Sequence, residues 1–325
     1  MKKLLTCILV VLSLFMLAGC SNGNTPTDEG TETKVLKVGV VQLAQHPALD
    51  AATQGFIDTL KAEFGDGVDI DNQNASGESA NCATIVSGFV NDGVDLIMAN
   101  ATPALQAAAS ATSDIPILGT SITEYGVALG IDNFNGVTGT NVSGTSDLAP
   151  LDQQAQMILD LVADVKKVGI IYCSNEVNST YQVKEVERIL KEKGVEVVVS
   201  SFTDSNDIAL VCEDLCNQGI NAMYIPTDNK CADYAATIDG VLREKKVPAI
   251  TGEEGTCKEC GIATLTIDYY NLGVETGKMA IKILKGEANV SEMAIQYFPN
   301  PVKKFNAEIC QFYGITVPED FIAIE

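Results

Sequence analysis

The sequence predicts an α/β fold of two doubly wound parallel-sheet lobes joined by a hinge. Three observations carry that expectation. From residue 37 onward, short apolar strands alternate with longer helix-like segments. The alternation occurs as two series of similar length, and each strand runs into a polar loop although the strand itself is apolar.

Before the first series stands a targeting segment. Lys2 and Lys3 precede an apolar run over 4–17, and Leu17-Ala18-Gly19-Cys20 closes it. A short basic region, an apolar stretch of this length and small residues at the break read as a signal peptide over 1–19. The run is too short for a good spanning helix. Residues 21–34 are rich in Ser, Gly, Asn and Thr without apolar periodicity, so 20–34 reads as a modifiable Cys20 followed by a flexible tether.

In the first series, strands are expected at 38–42, 68–72, 95–99 and 116–120, with helices opening near Pro47, Ser79 and Pro103. The second series has strands at 168–172, 196–200, 222–226 and 248–251. Its helices are expected over 179–193, 207–218 and 231–245. Between them, 130–150 is polar and Gly-rich and is expected to cross between lobes. A further strand at 261–268 leads to a helix over 271–284 that stops at Lys285-Gly286. The chain is thus expected to return to the first lobe, giving 35–148 plus 268–292 as lobe 1 and 149–267 plus 293–325 as lobe 2.

Acidic residues number 43 against 21 basic, a net charge of −22 in 325 residues, with one histidine. Such a charge repels phosphate backbones and anionic headgroups, so no nucleic acid partner is expected. There is no nucleophile elbow, no phosphate-cradling glycine loop and no metal-spaced histidine set. The chain is therefore expected not to be an enzyme and to use neither cofactor nor metal. Beyond Cys7 and Cys20, the cysteines are 82, 173, 212, 216, 231, 257, 260 and 310. An even number outside the membrane invites disulfides, and Cys257-Lys258-Glu259-Cys260 admits redox or zinc chemistry; free buried thiols fit the same count.

In open α/β sheets, ligands bind beyond the carboxyl ends of the strands. The loops at 43–46, 100–102, 120–123, 174–180, 227–229, 252–254 and 268–270 should therefore line a cleft. Candidate ligand-binding residues on them are Gln45, Thr102, Thr120, Ser121, Asn178, Ser179, Asp228, Glu253 and Asp268. Thr102 before Pro103 suits a helix cap, and the helix N-terminus there favours an anion. Asp228 suits an ammonium, and equally a cap. His46 reads as a loop or capping residue. Tyr125, Tyr181, Tyr269 and Tyr270 lie near cleft loops and suit an apolar ligand group.

The segments HPALDAATQGF (46–56), ATPALQAA (101–108), IPILGTSIT (115–123), GVTGTNVSG (136–144), GIIYCSNEVNSTYQVKE (169–185), YIPTDN (224–229) and DYYNLGVETGKMAIKILKG (268–286) together resemble one family. It is the ABC-transporter substrate-binding proteins of the tryptophan/tyrosine-binding type, with the periplasmic-binding-protein type I fold. Leu17-Ala18-Gly19-Cys20 likewise resembles a bacterial lipobox, which implies lipidation of Cys20 and anchoring at the outer face of the cell membrane. The family resemblance implies three crossings between lobes and an aromatic amino acid, tryptophan or tyrosine, held in the cleft. It also implies delivery to a permease powered by a separate ATPase. By position, Thr102, Thr120 and Ser121 would take the ligand carboxylate, while Asn178, Ser179 and Asp228 would contact it from lobe 2. Family members commonly read Thr-Asp-Pro where this chain has Thr123-Glu124-Tyr125, so Tyr125 is expected to reshape the side-chain pocket. A sensor without transport, a sugar or nucleoside ligand, and a thiol oxidoreductase using Cys257 and Cys260 are the alternatives.

Overall fold

The computed structural model describes residues 34–298 and 300–325; the leader, Cys20 and nearly all of the tether lie outside the described residues. Lobe 1 runs β1 (Leu36–Gln42), α1 (Pro47–Phe64), β2 (Val68–Asn74), α2 (Ser79–Asp92), β3 (Leu96–Asn100), α3 (Thr102–Ala111), β4 (Ile117–Ile122), α4 (Tyr125–Leu129) and β5 (Val142–Ser146). Lobe 2 runs α5 (Leu151–Leu161), β6 (Lys167–Cys173), α6 (Val177–Glu192), β7 (Glu196–Phe202), α7 (Ile208–Asn217), β8 (Ala222–Ile225), α8 (Asn229–Asp233), α9 (Ala235–Lys245), β9 (Ala249–Thr251), α10 (Glu254–Cys260) and β10 (Ala263–Thr266). The chain then returns to lobe 1 as α11 (Tyr269–Leu284) and β11 (Gln296–Tyr297). It ends in lobe 2 with β12 (Val302–Phe305), α12 (Ala307–Tyr313) and β13 (Ile322–Ala323).

The first sheet has the order β11-β5-β4-β3-β1-β2, and the second β13-β12-β10-β9-β8-β6-β7. Every pairing is parallel except β10 with β12. Each lobe therefore repeats one doubly wound order, and the strand order reverses at β1/β3 in lobe 1 and at β6/β8 in lobe 2. Helices cover both faces, so central strands such as Leu-Ile-Met-Ala-Asn in β3 are buried along their whole length and read as apolar runs. Separate apolar clusters fill the two faces of each sheet.

Three expectations are corrected. Residues 130–150 do not form one crossing, because Val142–Ser146 is a fully buried strand of the first sheet. Its hydroxyls hid it: Ser143 donates to the Met293 carbonyl, Ser146 to that of Thr123, and Thr145 exchanges a bond with Thr276. A strand whose polar side chains are all bonded lacks the apolar pattern that announces one. The crossing is confined to 147–150. Likewise the lobe boundary drawn at 292 moves, since Gln296 and Tyr297 pair with Thr145 and Ser146. The single helix expected over 231–245 is two, α8 and α9, meeting at Tyr234.

Candidate functional site

The loops after β1, β4, β6, β8 and β9 face one another across the lobes. Between them lies a tight cavity of ≈ 10 Å³. His46, Ala48, Leu49, Ser121 and Thr123 line it from lobe 1, and Asn178, Thr227, Asp228, Asn229, Ala232 and Glu253 from lobe 2. Asp147 and Tyr269 complete it from two of the crossings.

Local chemistry positions each group. In lobe 1, Gln42 donates to the Ala44 carbonyl and to Asp50, and accepts from Thr53. Asn100 donates to the Leu49 carbonyl and to Thr53. This buried network pins the loop after β1 and the first turn of α1. His46 stands at the N-cap of that helix but makes no side-chain cap, and Pro47 follows as the first helical residue. Ser121 adopts a left-handed backbone (φ 55°), a strained conformation for a residue with a side chain, which turns it toward the cleft.

In lobe 2, Asp228 is a cap. It accepts from the backbone N–H of Cys231 and of Cys173, each at 2.8 Å, and the Ser179 hydroxyl also reaches it. Burial raises its carboxyl pKa. Glu253 caps α10, accepting from the N–H groups of Gly255 and Thr256 and from the Thr256 hydroxyl. Asn178 donates to Glu176, Ser179 and the Thr227 carbonyl. At the hinge, Tyr269 donates to Asp147 Oδ2 at 3.0 Å. Burial, with Glu253 nearby, pushes the Asp147 carboxyl up to about 6.

What remains unbonded is informative. Among the described residues, six buried side-chain polar atoms have no partner, and four of them belong to the cavity lining: His46 Nδ1, Ser121 Oγ, Asp147 Oδ1 and Asn178 Oδ1. Their residues are 8%, 6%, 5% and 5% exposed. Buried polar groups without partners are costly, and a concentration of them around one cavity marks where a polar guest completes the bonding.

Of the residues expected from sequence, Ser121, Asn178, Asp228 and Glu253 line this cavity. Thr102, Thr120 and Ser179 are buried behind it, Thr120 accepting from Thr145. Gln45 is exposed and does not line it; Asp268 is exposed and caps α11 through Asn271. Thr102 is not a cap, because Ala101 (φ 84°) takes the N-cap position of α3. Tyr125 does not shape the pocket. It is fully buried in lobe 1 and donates to the carbonyls of Gly119 and Thr145. Asp147, Thr123, Thr227 and Asn229 were not singled out, nor was His46 as a ligand contact. Asp147 had one signal available, as the only acidic residue between 133 and 151.

Comparison with known proteins places this geometry. A family model for ABC transporter substrate binding proteins matches residues 37–324. A tyrosine-binding protein of Clostridioides difficile (strain R20291) is 37% identical over 296 residues, covering 88% of this chain and 85% of that protein. An ABC domain from Streptococcus pneumoniae in complex with L-Trp is 34% identical, with TM-score 0.82 over 87% of this chain and 96% of that one. A ligand-free, open structure of a substrate binding protein with adhesive properties from Clostridium difficile is 36% identical but has TM-score 0.69, over 90% and 99%. At nearly equal identity, the fit is better to the L-Trp complex than to the ligand-free, open structure. With two matching lobes, a cleft at both strand reversals and a family match along almost all of its described length, the chain belongs to the ABC transporter substrate binding proteins.

Proposed function

We propose that the protein captures an aromatic amino acid, tyrosine or tryptophan, outside the membrane for an ABC importer, and that it binds without catalysing. The observation that carries this reading is the set of four partnerless polar atoms, drawn from both lobes and the hinge, around one cavity. A zwitterion fits that set. Asp147 Oδ1 and Asn178 Oδ1 would accept from the ammonium. Ser121 Oγ, with the N–H groups of Ala48 and Leu49 at the start of α1, would serve the carboxylate, where the helix dipole favours an anion. Leu49, Ala232 and the Tyr269 ring supply apolar contact for the side chain. Neither lobe holds the whole set, so the ligand favours closure by its differential affinity for the closed state. The tyrosine-binding relative and the L-Trp complex support the ligand class.

A ligand screen tests the reading. A specific binder at 100 times its Kd adds about 2.7 kcal/mol to stability. Tyrosine and tryptophan are expected to raise Tm most among amino acids, nucleosides and sugars; stabilisation by sugars or nucleosides alone would overturn the assignment. Thiol chemistry has no support from the geometry. All eight described cysteines are free and buried, and burial pushes the Cys257 and Cys260 thiols well above their ordinary range, away from the reactive thiolate. No helix among the described residues is long and apolar enough to cross a membrane. Attachment through a lipid on Cys20 is part of the proposal. Cys20→Ser is expected to release the protein from cells into the medium, and retention at the membrane would refute the anchor.

A further inference from the structure

Glu176 is 5% exposed, opens α6 and does not line the ligand cavity, yet it organises two groups that do. Its contacts in this cluster are all donors: the N–H groups of Asn229 (3.2 Å) and Lys230 (3.1 Å), and the side-chain amides of Asn229 (2.6 Å) and Asn178 (3.1 Å). Burial, with Asp228 nearby, pushes this carboxyl up to about 8, but a backbone N–H meets each of its oxygens, so both accept and the two amides meet them through Nδ2. With Asn178 Nδ2 turned to Glu176 and to the Thr227 carbonyl, Asn178 Oδ1 is left in the cleft without a partner. With Asn229 Nδ2 turned to Glu176, Asn229 Oδ1 is the atom that meets His46 Nε2 across the lobes, at 3.3 Å. An amide oxygen cannot donate, so Nε2 must carry the hydrogen. In the neutral ring Nδ1 is then a bare lone pair, buried and partnerless.

We propose that Glu176 is a positioning residue that sets the polarity of the cleft. Through Asn178 directly, and through Asn229 and the tautomer of His46, it presents two acceptors that complete a three-acceptor cage with Asp147. This rests on the amino-acid reading above and deepens it. A primary ammonium has three N–H groups, and with a neutral Nε2–H ring and an ionised Asp147 the buried atoms His46 Nδ1, Asn178 Oδ1 and Asp147 Oδ1 supply three acceptors. The His46–Asn229 contact also spans the cleft, so the tautomer that recognises the ligand is fixed only when the lobes are shut.

Two properties of the sequence make this directly measurable. The chain has one histidine and no tryptophan. Nitrogen-15 histidine labelling therefore reports a single imidazole, and tryptophan fluorescence reports the ligand alone. In the tyrosine-saturated wild type, the ring is expected to be the Nε2–H tautomer; an Nδ1–H ring overturns the proposal. His46→Leu is expected to weaken tryptophan binding about tenfold or more, and His46→Asn, which keeps an oxygen near the Nδ1 position, to recover part of it. Glu176→Gln is expected to mix the tautomers and lower affinity about tenfold, an effect that a purely structural role would not register at the ring. N-methylation of the ligand should cost the wild type more than His46→Leu. Wild-type affinity retained by His46→Leu would sink this inference alone, whereas failure of the wild type to bind any amino acid would sink the ligand assignment with it.

Discussion

Asp147 lies on the first crossing between the lobes, with one carboxylate oxygen held by Tyr269 and the other facing the cavity. Its raised carboxyl pKa, about 6 against the ordinary 3.8, fixes the sign of two pH effects. Between those values the folded state holds a proton that the unfolded state has lost, so the stability of the ligand-free protein falls as pH rises through that window. A bound ammonium favours the ionised form. Amino-acid affinity is therefore expected to climb as pH rises toward 6 and then level off. Asp147→Asn should flatten that profile and weaken binding by about 10- to 100-fold, the cost of about 1.5–3 kcal/mol for a charged hydrogen bond. Calorimetric titration across the range checks both, and an unaltered pH profile in the variant would remove Asp147 from the ammonium site.

Helix pairs and strand ends impose their own requirements. α1 and α11 approach so closely that a Cβ on Gly273 would stand 1.9 Å from the Ala52 carbonyl oxygen, and one on Gly55 would stand 2.1 Å from that of Tyr270. This contact fastens the chain's return from lobe 2 onto the helix that carries His46. Gly273→Ala is expected to cost about 1–3 kcal/mol, read by denaturant unfolding, because backbone has to shift. Tyr125 makes a parallel demand. Its hydroxyl fills the space beside β4 and β5, and a Cβ on Gly144 (φ 143°) would meet it at 2.4 Å. Tyr125→Phe should lose about 1 kcal/mol of stability from two carbonyl bonds while leaving ligand affinity within error. A large loss of affinity would restore Tyr125 to the pocket.

At the scale of the whole molecule, α4 packs on α6 and α1 on α10 across the lobes, and polar contacts join the rim of the cleft. Lys230 meets Glu78 across the cleft at 3.5 Å, with Glu78 mostly exposed, and His46 meets Asn229. Exposed ion pairs contribute about 0–1 kcal/mol, so Glu78→Gln is expected to change affinity less than about fivefold. What change there is should vanish at high salt. The ligand then contributes more closing free energy than this rim pair. A tenfold or larger loss on Glu78→Gln at physiological salt would assign closure to the rim instead.

Much of the molecule was legible before any coordinates. Apolar strands separated by helix starts announce parallel sheets, because strands covered on both faces must be apolar throughout, and the polar loops at their ends announce the cleft. Asn178, Asp228 and Glu253 lie on those loops, and the family resemblance singled out Ser121 among its neighbours. Local sequence could not distinguish them from Gln45 and Asp268, which occupy equally polar loops but turn to solvent. Nor could it find β5, whose hydroxyls are satisfied by groups as distant as Met293 and Thr276. The polarity of the site was still less accessible. Whether Asp228 or Asp147 has a free oxygen depends on which backbone N–H groups arrive from other segments. Which nitrogen of His46 is bare depends on an amide that is 183 residues away in sequence and itself turned by Glu176. Periodicity and turn chemistry are local and survive in the sequence; hydrogen-bond complementarity across a closed cleft exists only once two distant halves of the chain meet.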